Sequence, residues 1–155
     1  KLDPTKEIHL PPPEEPVGAQ LYQKAVYCPA SRTLRTSGHI GTDHENRPAR
    51  GRIGTDATPE EANVHARNAG LRLLSTIHHY LDGDLSRVEQ VLHVEGQVNA
   101  PSDFTAHAQV INGCSQVLAE AFGKPKGIGT RACYGVGSLG ATVSCHVQLQ
   151  ISDPS

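Results

Sequence analysis

Residues 142–151 read Thr-Val-Ser-Cys-His-Val-Gln-Leu-Gln-Ile. Apolar side chains occupy every second position from Val143 to Ile151, and polar side chains, His146 among them, stand between them. A period of two is typical of a β-strand with one buried and one exposed face. The stretch therefore predicts a strand in a sheet that is covered on one face only.

Two amphipathic helices are predicted to cover that face. The first begins at Thr58, because Thr58 can cap free amides, Pro59 suits the first helical position and Glu61 completes a capping box. The second follows residues 101–103 and ends at residues 123–125, where Gly and Pro stop it. Apolar residues recur every three or four positions in both helices. In the first helix they are Ala62, Ala66, Ala69, Leu73, Leu74, Ile77, Tyr80 and Leu81, and in the second Ala106, Val110, Cys114, Val117 and Leu118.

Four further segments are predicted to be strands. They are residues 20–27 and 33–40, around a turn at 29–31, and residues 91–98 and 130–136. Residues 91–98 are expected to place Leu92, Val94 and Val98 on the side opposite His93, Glu95 and Gln97. The order of elements predicts an α+β fold, a two-layer sandwich with two helices packed on one face of a mixed β-sheet.

The uncovered face of the sheet is expected to carry the chemistry. In residues 130–136 the alternation places Arg131, Cys133 and Gly135 on one side. We expect Arg131, Cys133 and His146 to lie together on the face opposite the helices. Such a face is also where identical subunits can pack, with clefts between neighbours.

The chain has 155 residues, of which 37% are apolar and 19% charged, with a formal net charge of −2. This length predicts one domain, residues 17–155, preceded by a proline-rich extended arm at residues 1–16. The arm is expected to lie on the domain, with an SH3-type ligand as the alternative.

No stretch approaches the ~18 apolar residues of a membrane span, which predicts a soluble protein. Scattered basic residues and the weak negative charge argue against nucleic acid as a partner.

The cysteines indicate a reducing compartment. All four, Cys28, Cys114, Cys133 and Cys145, occur singly and without zinc-site spacing, which predicts free thiols in a cytoplasmic protein. The nine histidines also lack metal-site spacing, so no metal is expected. The chain contains no methionine, which predicts that a segment before Lys1 has been removed or omitted and leaves organellar targeting open.

Residues 130–139, Thr-Arg-Ala-Cys-Tyr-Gly-Val-Gly-Ser-Leu, resemble the Rid (YjgF) family of reactive-intermediate deaminases, also described as L-PSP endoribonuclease-like. The resemblance runs from about Pro16 to Ile151. It also includes residues 36–39, 51–54, 94–99, 103–105 and 117–123. It implies a chorismate-mutase-like fold, a homotrimer, three sites in clefts between subunits and no cofactor.

The resemblance also implies an activity, because family members hydrolyse enamine or imine intermediates to 2-keto acids and ammonia. The family arginine that holds the substrate carboxylate falls on Arg131, and a planar guanidinium suits that task. Cys133 matches a cysteine present in many relatives, and Tyr22 matches an aromatic residue at the family site. Gly38 would allow backbone to approach the ligand closely. The implied partner is a small 2-imino or 2-keto acid.

Two positions depart from the family pattern. Where the deaminases carry a glutamate that positions the hydrolytic water, this chain has His146. His39 replaces a family glutamine and is expected to line the substrate site with Tyr22, Gly38 and Cys133. A neutral imidazole has one acceptor nitrogen and no negative charge. His146 can still act as a general base of an imine hydrolase, or pair with Cys133 as nucleophile and base. The alternatives are a related proton-transfer or cyclisation enzyme, and a non-catalytic small-molecule-binding or chaperone-like trimer.

Overall fold

The computed structural model describes residues 8–14 and 21–153. Two long helices, α1 (Pro59–Tyr80) and α2 (His107–Phe122), are joined by a strand that follows the short 3-10 helix Leu85–Arg87. The strands are β1 (Ala25–Cys28), β2 (Thr33–Thr36), β3 (His39–Ile40), β4 (Val88–Asn99), β5 (Thr130–Val136) and β6 (Val143–Ile151). No helix in the described ranges is long and apolar enough to cross a membrane.

The strands form one mixed sheet in the order β1-β2-β6-β4-β5, and β3 also pairs with β6. Only the β4–β5 pair is parallel among the described pairings, because α2 crosses over between these two strands. Both helices pack on the same face, where the alternate residues of β6 from Val143 to Ile151 are fully buried. The predicted α+β sandwich, with two helices on one face of a mixed sheet, is confirmed.

The predicted start of α1 is confirmed to the residue. The Thr58 hydroxyl accepts a hydrogen bond from the Glu61 amide at 3.1 Å, and the Glu61 carboxylate accepts one from the Thr58 amide at 2.8 Å. The apolar stripe of α1 is buried from Ala62 to Ile77, but Tyr80 is 44% exposed. The assignment of Tyr80 to the buried stripe was therefore wrong, whereas Leu81, one residue past the helix, is buried as predicted.

The strand predictions need correction in three places. In the segment predicted as a strand over residues 20–27, residues 21–24 lie outside the strand, and β1 runs from Ala25 to Cys28. The segment predicted as one strand from 33 to 40 is divided at Ser37 and Gly38 into β2 and β3. In β4 the register against β6 shifts near Val91, and an irregularity of this kind interrupts the alternation. Val91 is consequently fully buried, whereas Leu92, expected to face the core, is half-buried.

Strand β5 turns Arg131, Cys133 and Gly135 toward the helices. In the pairing with β4, Arg131 lies opposite Val94 and Cys133 lies opposite Gly96. Both β4 residues are on the covered face: Val94 is buried, and a Cβ added to Gly96 would meet Ile111 of α2 at 2.6 Å. The expectation that Arg131 and Cys133 share the uncovered face with His146 was therefore wrong. The alternation correctly predicted which residues lie together, but it does not specify which face they occupy.

Residues 8–14 have no helix or strand and lie against the domain. Ile8 and Leu10 pack on the core, and the Ser75 hydroxyl donates to the carbonyl of Pro11 at 2.5 Å. The Glu14 carboxylate pairs with both Lys24 and Arg72. This part of the proline-rich arm therefore has the placement expected for it, while residues 1–7, 15 and 16 lie outside the described residues.

Candidate functional site

Arg131 lies on the edge strand β5, and residues of α2 hold its side chain. Its Nη1 donates to Asn112 Oδ1 at 2.8 Å and to Ser115 Oγ at 3.2 Å. Both acceptors are neutral, and no carboxylate among the described residues lies within 4 Å of the guanidinium. The Nε and Nη2 groups have no acceptor within the described ranges. The side chain is thus oriented by its neighbours, with its charge unneutralised and one edge of its planar fork available to an oxyanion.

Cys133 is half-buried beside Arg131 and packs on the core. Two other thiols, those of Cys114 and Cys145, are buried on the same covered face. The hydrogen bond with Cys114, together with burial, raises the pKa of the Cys145 thiol well above its ordinary value. Cys145 therefore stays protonated and acts as a core residue.

His146 lies on the uncovered face, directly opposite Glu95 of β4. Its Nε2 is 3.5 Å from Glu95 Oε2, and both side chains are about one-third exposed. The Tyr134 hydroxyl donates to Glu95 Oε1 at 2.5 Å, and Gln97 Nε2 donates to the Tyr134 oxygen at 3.1 Å. We call these four side chains, Glu95, Gln97, Tyr134 and His146, the open-face network.

Sequence reasoning did not include Glu95, Gln97 or Tyr134 among the site residues. The alternation in β4 did indicate that Glu95 and Gln97 share a polar face. What it could not indicate was the register between β4 and β6, which places Glu95 beside His146. The network supplies a carboxylate next to an imidazole, an arrangement that can orient the ring.

Arg131 and His146 do not converge within one chain. They lie on opposite faces of the sheet, and β4 separates their strands, so two strand spacings of about 4.8 Å each lie between them. A small ligand bound at Arg131 therefore contacts His146 only if a second copy of the chain supplies it. The same geometry rules out Cys133 and His146 of one chain as a nucleophile–base pair.

His39 is fully buried between β3 and α1. Its Nδ1 lies 2.9 Å from the Ser37 carbonyl and its Nε2 lies 2.8 Å from the Thr76 hydroxyl. Because a carbonyl only accepts, Nδ1 carries the proton and Nε2 accepts from Thr76 in the neutral ring. Burial lowers the pKa of His39, and the nearby Glu14 carboxylate opposes this shift. With both nitrogens engaged, His39 is placed as a structural residue rather than as a ligand contact.

This burial predicts how stability depends on pH. Since the folded chain binds a proton at His39 less readily than the unfolded chain, the free energy of unfolding should fall as the pH drops below about 6.5, by up to ~1.4 kcal/mol per pH unit for one such group. Burial also lowers the pKa of His65, which adds a contribution in the same direction. The free energy of unfolding, measured with urea, should differ less between pH 7.5 and pH 5.5 in H39Q than in the wild type. H78Q is the control and should show the wild-type difference, because His78 lies at an exposed position of α1. Equal pH effects in wild type and H39Q would contradict this.

The other two predicted site residues lie at the β1–β3 end of the sheet. Tyr22 is 42% exposed, with the Lys24 ammonium 5.5 Å from its ring centroid. A Cβ added to Gly38 would lie 2.8 Å from Ser144 Oγ, so this glycine permits close approach to β6. Tyr22 is far from Arg131 in the sheet, since it precedes β1, and β1 and β5 form opposite edges. Gly38 precedes β3, which pairs with β6, so β6 and β4 lie between Gly38 and Arg131. Among the described residues, no group of three or more His, Cys, Asp or Glu side chains is placed to hold a metal ion.

Comparison with known proteins places the chain in a recognised fold. No family model matches it. It is 29% identical over 129 residues to Protein TCP17 of Trypanosoma cruzi, covering 82% of this chain and 80% of that protein. A solved endoribonuclease candidate from Shewanella oneidensis aligns with a TM-score of 0.83 at 23% identity, covering 93% of each chain.

Two further solved structures connect this fold to the Rid family. RidA from an Antarctic Psychrobacter species aligns with a TM-score of 0.54 at 22% identity, over 88% of this chain and 93% of RidA. TdcF of E. coli, solved with bound serine, aligns with a TM-score of 0.55 at 16% identity, over 92% of this chain and 94% of TdcF. The resemblance to the Rid family seen in the sequence is therefore confirmed at the level of the fold.

Proposed function

We propose that this chain, which has the Rid-family fold, binds a small 2-imino or 2-keto acid through Arg131 and hydrolyses 2-enamino or 2-imino acids to 2-keto acids and ammonia. The observation that carries the proposal is the state of the Arg131 guanidinium. Asn112 and Ser115 fix its position, no acidic side chain of the described residues neutralises it, and Nε and Nη2 are left for a ligand. The serine bound in TdcF is a small carboxylate-bearing molecule of the same kind.

The placement of the residues supports a site shared between copies of the chain, and we propose a homotrimer as the assembly. Arg131 is at the edge of the sheet, and His146 is on its uncovered polar face. Since the two lie on opposite faces, one ligand reaches both only when different subunits contribute them. Packing of the uncovered face of one copy against the β5 edge of its neighbour would bring this about.

The chemistry that we propose requires positioning, a base and water. Arg131 holds the carboxylate of the imino acid, and His146 of a neighbouring copy removes a proton from water as the water oxygen bonds to the imine carbon. With the imine nitrogen protonated at the start, this step gives a neutral carbinolamine, and the His146 imidazolium then returns its proton to the amino nitrogen. The C–N bond breaks to release ammonia as the C=O bond forms, and the hydroxyl proton passes to water. If the Nε2 proton of His146 points to Glu95, Nδ1 is free to accept the proton, and the Glu95 carboxylate stabilises the imidazolium.

The test uses 2-aminoacrylate generated in situ by a serine dehydratase. The wild-type chain should accelerate pyruvate formation above the spontaneous rate. In H146Q this acceleration should be smaller by about 10²-fold or more, because general base catalysis contributes on this scale. H93Q is the matched control, since His93 lies on the same face and bonds Thr130 at 2.8 Å.

The outcomes separate the possible functions of the fold. Acceleration that survives in H146Q would remove His146 as the base. Binding of 2-oxobutanoate without any acceleration would overturn the hydrolase and indicate a small-molecule-binding protein. Consumption of the imine without release of ammonia would indicate a proton-transfer or cyclisation reaction.

A further inference from the structure

A cavity of about 370 Å³ lies where β4 leads into α2. It is bounded by the end of β5 at Gly135 and by His107 at the start of α2. Gly135 is four residues beyond Arg131 on the same side of β5, about 13 Å away at the usual rise of a strand. The cavity is therefore a separate place from the Arg131 site, although it is on the same face of the sheet.

Arg52 provides the positive charge of this cavity. Its Nη2 donates to the carbonyl of Ala100 at 3.2 Å, and its buried Nε has no acceptor among the described residues. The neighbouring Asp56 carboxylate accepts from the backbone amide of Arg52 at 2.8 Å, and no described carboxylate forms an ion pair with the guanidinium. A partly buried guanidinium without a counter-charge is costly, and an anion would relieve that cost.

His107, the first residue of α2, lines the cavity together with Arg52. The cap residue is Ala106, which has no side-chain acceptor for the first amides of the helix, and these amides form the positive end of the helix dipole. The His107 ring stands edge-on to Phe104, with centroids 5.0 Å apart, and neither ring nitrogen has a hydrogen-bond partner within the described ranges. A Cβ at position 135 would lie 2.8 Å from His107 Nε2, so glycine there leaves room for the imidazole.

We infer that this cavity is a second binding site, specific for a compact oxyanion such as a carboxylate or a phosphate. Arg52 would provide the charge, and His107 with the first amides of α2 would provide further donors. Phe104 and Pro101 form an apolar wall for the body of the ligand, and no Asp or Glu lines the cavity within the described residues. The size and the mixed lining match those of small-molecule sites. The inference goes beyond the proposed hydrolysis and does not depend on it.

The test follows amide NMR signals of the full chain during separate titrations with inorganic phosphate and with acetate. At least one anion should shift the signals of His107, Gly135 and Gly137, and its affinity at these signals should fall at least 10-fold in R52Q. R50Q is the matched control, because Arg50 is an exposed arginine on the same segment. If R52Q does not fold, H107Q replaces it with the same expected loss.

Each outcome is decisive for this site. The anion that binds identifies the ligand class, and retention of these shifts in R131Q would show that the site is independent of Arg131. If neither anion shifts these signals, or if the affinity is equal in wild type, R52Q and H107Q, the inference is overturned. Because the readout is binding at named amides, failure of the hydrolysis proposal leaves this result unaffected.

Discussion

Replacing Arg131 by glutamine is expected to lower kcat/KM for a 2-imino acid by about 10²- to 10³-fold, since losing one member of a desolvated charge pair costs roughly 2–5 kcal/mol. Glutamine keeps a polar group near Asn112 and Ser115 but removes both the charge and the planar fork. The effect should appear as weaker binding of 2-oxobutanoate in equilibrium titrations, as well as slower turnover of 2-aminoacrylate. The free energy of unfolding should change little, because the Arg131 side chain is exposed.

Two matched variants show whether charge or geometry matters. R131K keeps the charge but cannot form two parallel hydrogen bonds to one carboxylate, so its activity should lie between those of wild type and R131Q. R67Q removes an arginine on α1 that pairs with Glu120 at 2.8 Å, and it should leave both binding and turnover unchanged. An R131Q variant with wild-type affinity for 2-oxobutanoate would show that the carboxylate binds elsewhere.

The fold was predictable where local chemistry determines it. Thr58, Pro59 and Glu61 define the start of α1 by themselves, because every contact of the capping box lies within four residues. The alternation of β6 likewise defines its buried face. The register shift at Val91 was not predictable, since it depends on how β4 pairs with a strand about sixty residues away in the sequence. Propensity and periodicity do not encode that pairing.

The site was less predictable than the fold, for the same reason. The sequence showed that Arg131 and Cys133 share a side, but only the pairing with Val94 and the contact with Asn112 show that this side faces α2. His39 was predicted to line the substrate site, whereas its position against Thr76 makes it part of the packing between β3 and α1.

Replacing Gly113 by alanine is expected to destabilise the fold and to weaken the site at the same time. A Cβ at this position would lie 2.1 Å from the carbonyl oxygen of Asn63 and 2.9 Å from the amide nitrogen of Arg67, both on the backbone of α1. No side-chain rotation relieves a contact with backbone, so the two helices must move apart. Overpacking costs about 1–3 kcal/mol and sometimes more, which outweighs the ~1 kcal/mol that alanine gains over glycine within a helix.

Urea unfolding measures this loss against G140A, because a Cβ at Gly140 has no heavy atom within 4 Å and should cost little. Since α2 also carries Asn112 and Ser115, moving it displaces the two acceptors that orient Arg131. G113A should therefore lose both stability and affinity for 2-oxobutanoate, whereas R131Q loses affinity alone. Wild-type stability in G113A would show that α1 and α2 are not in backbone contact there. A loss of stability with full affinity would show that Arg131 binds its ligand without the support of α2.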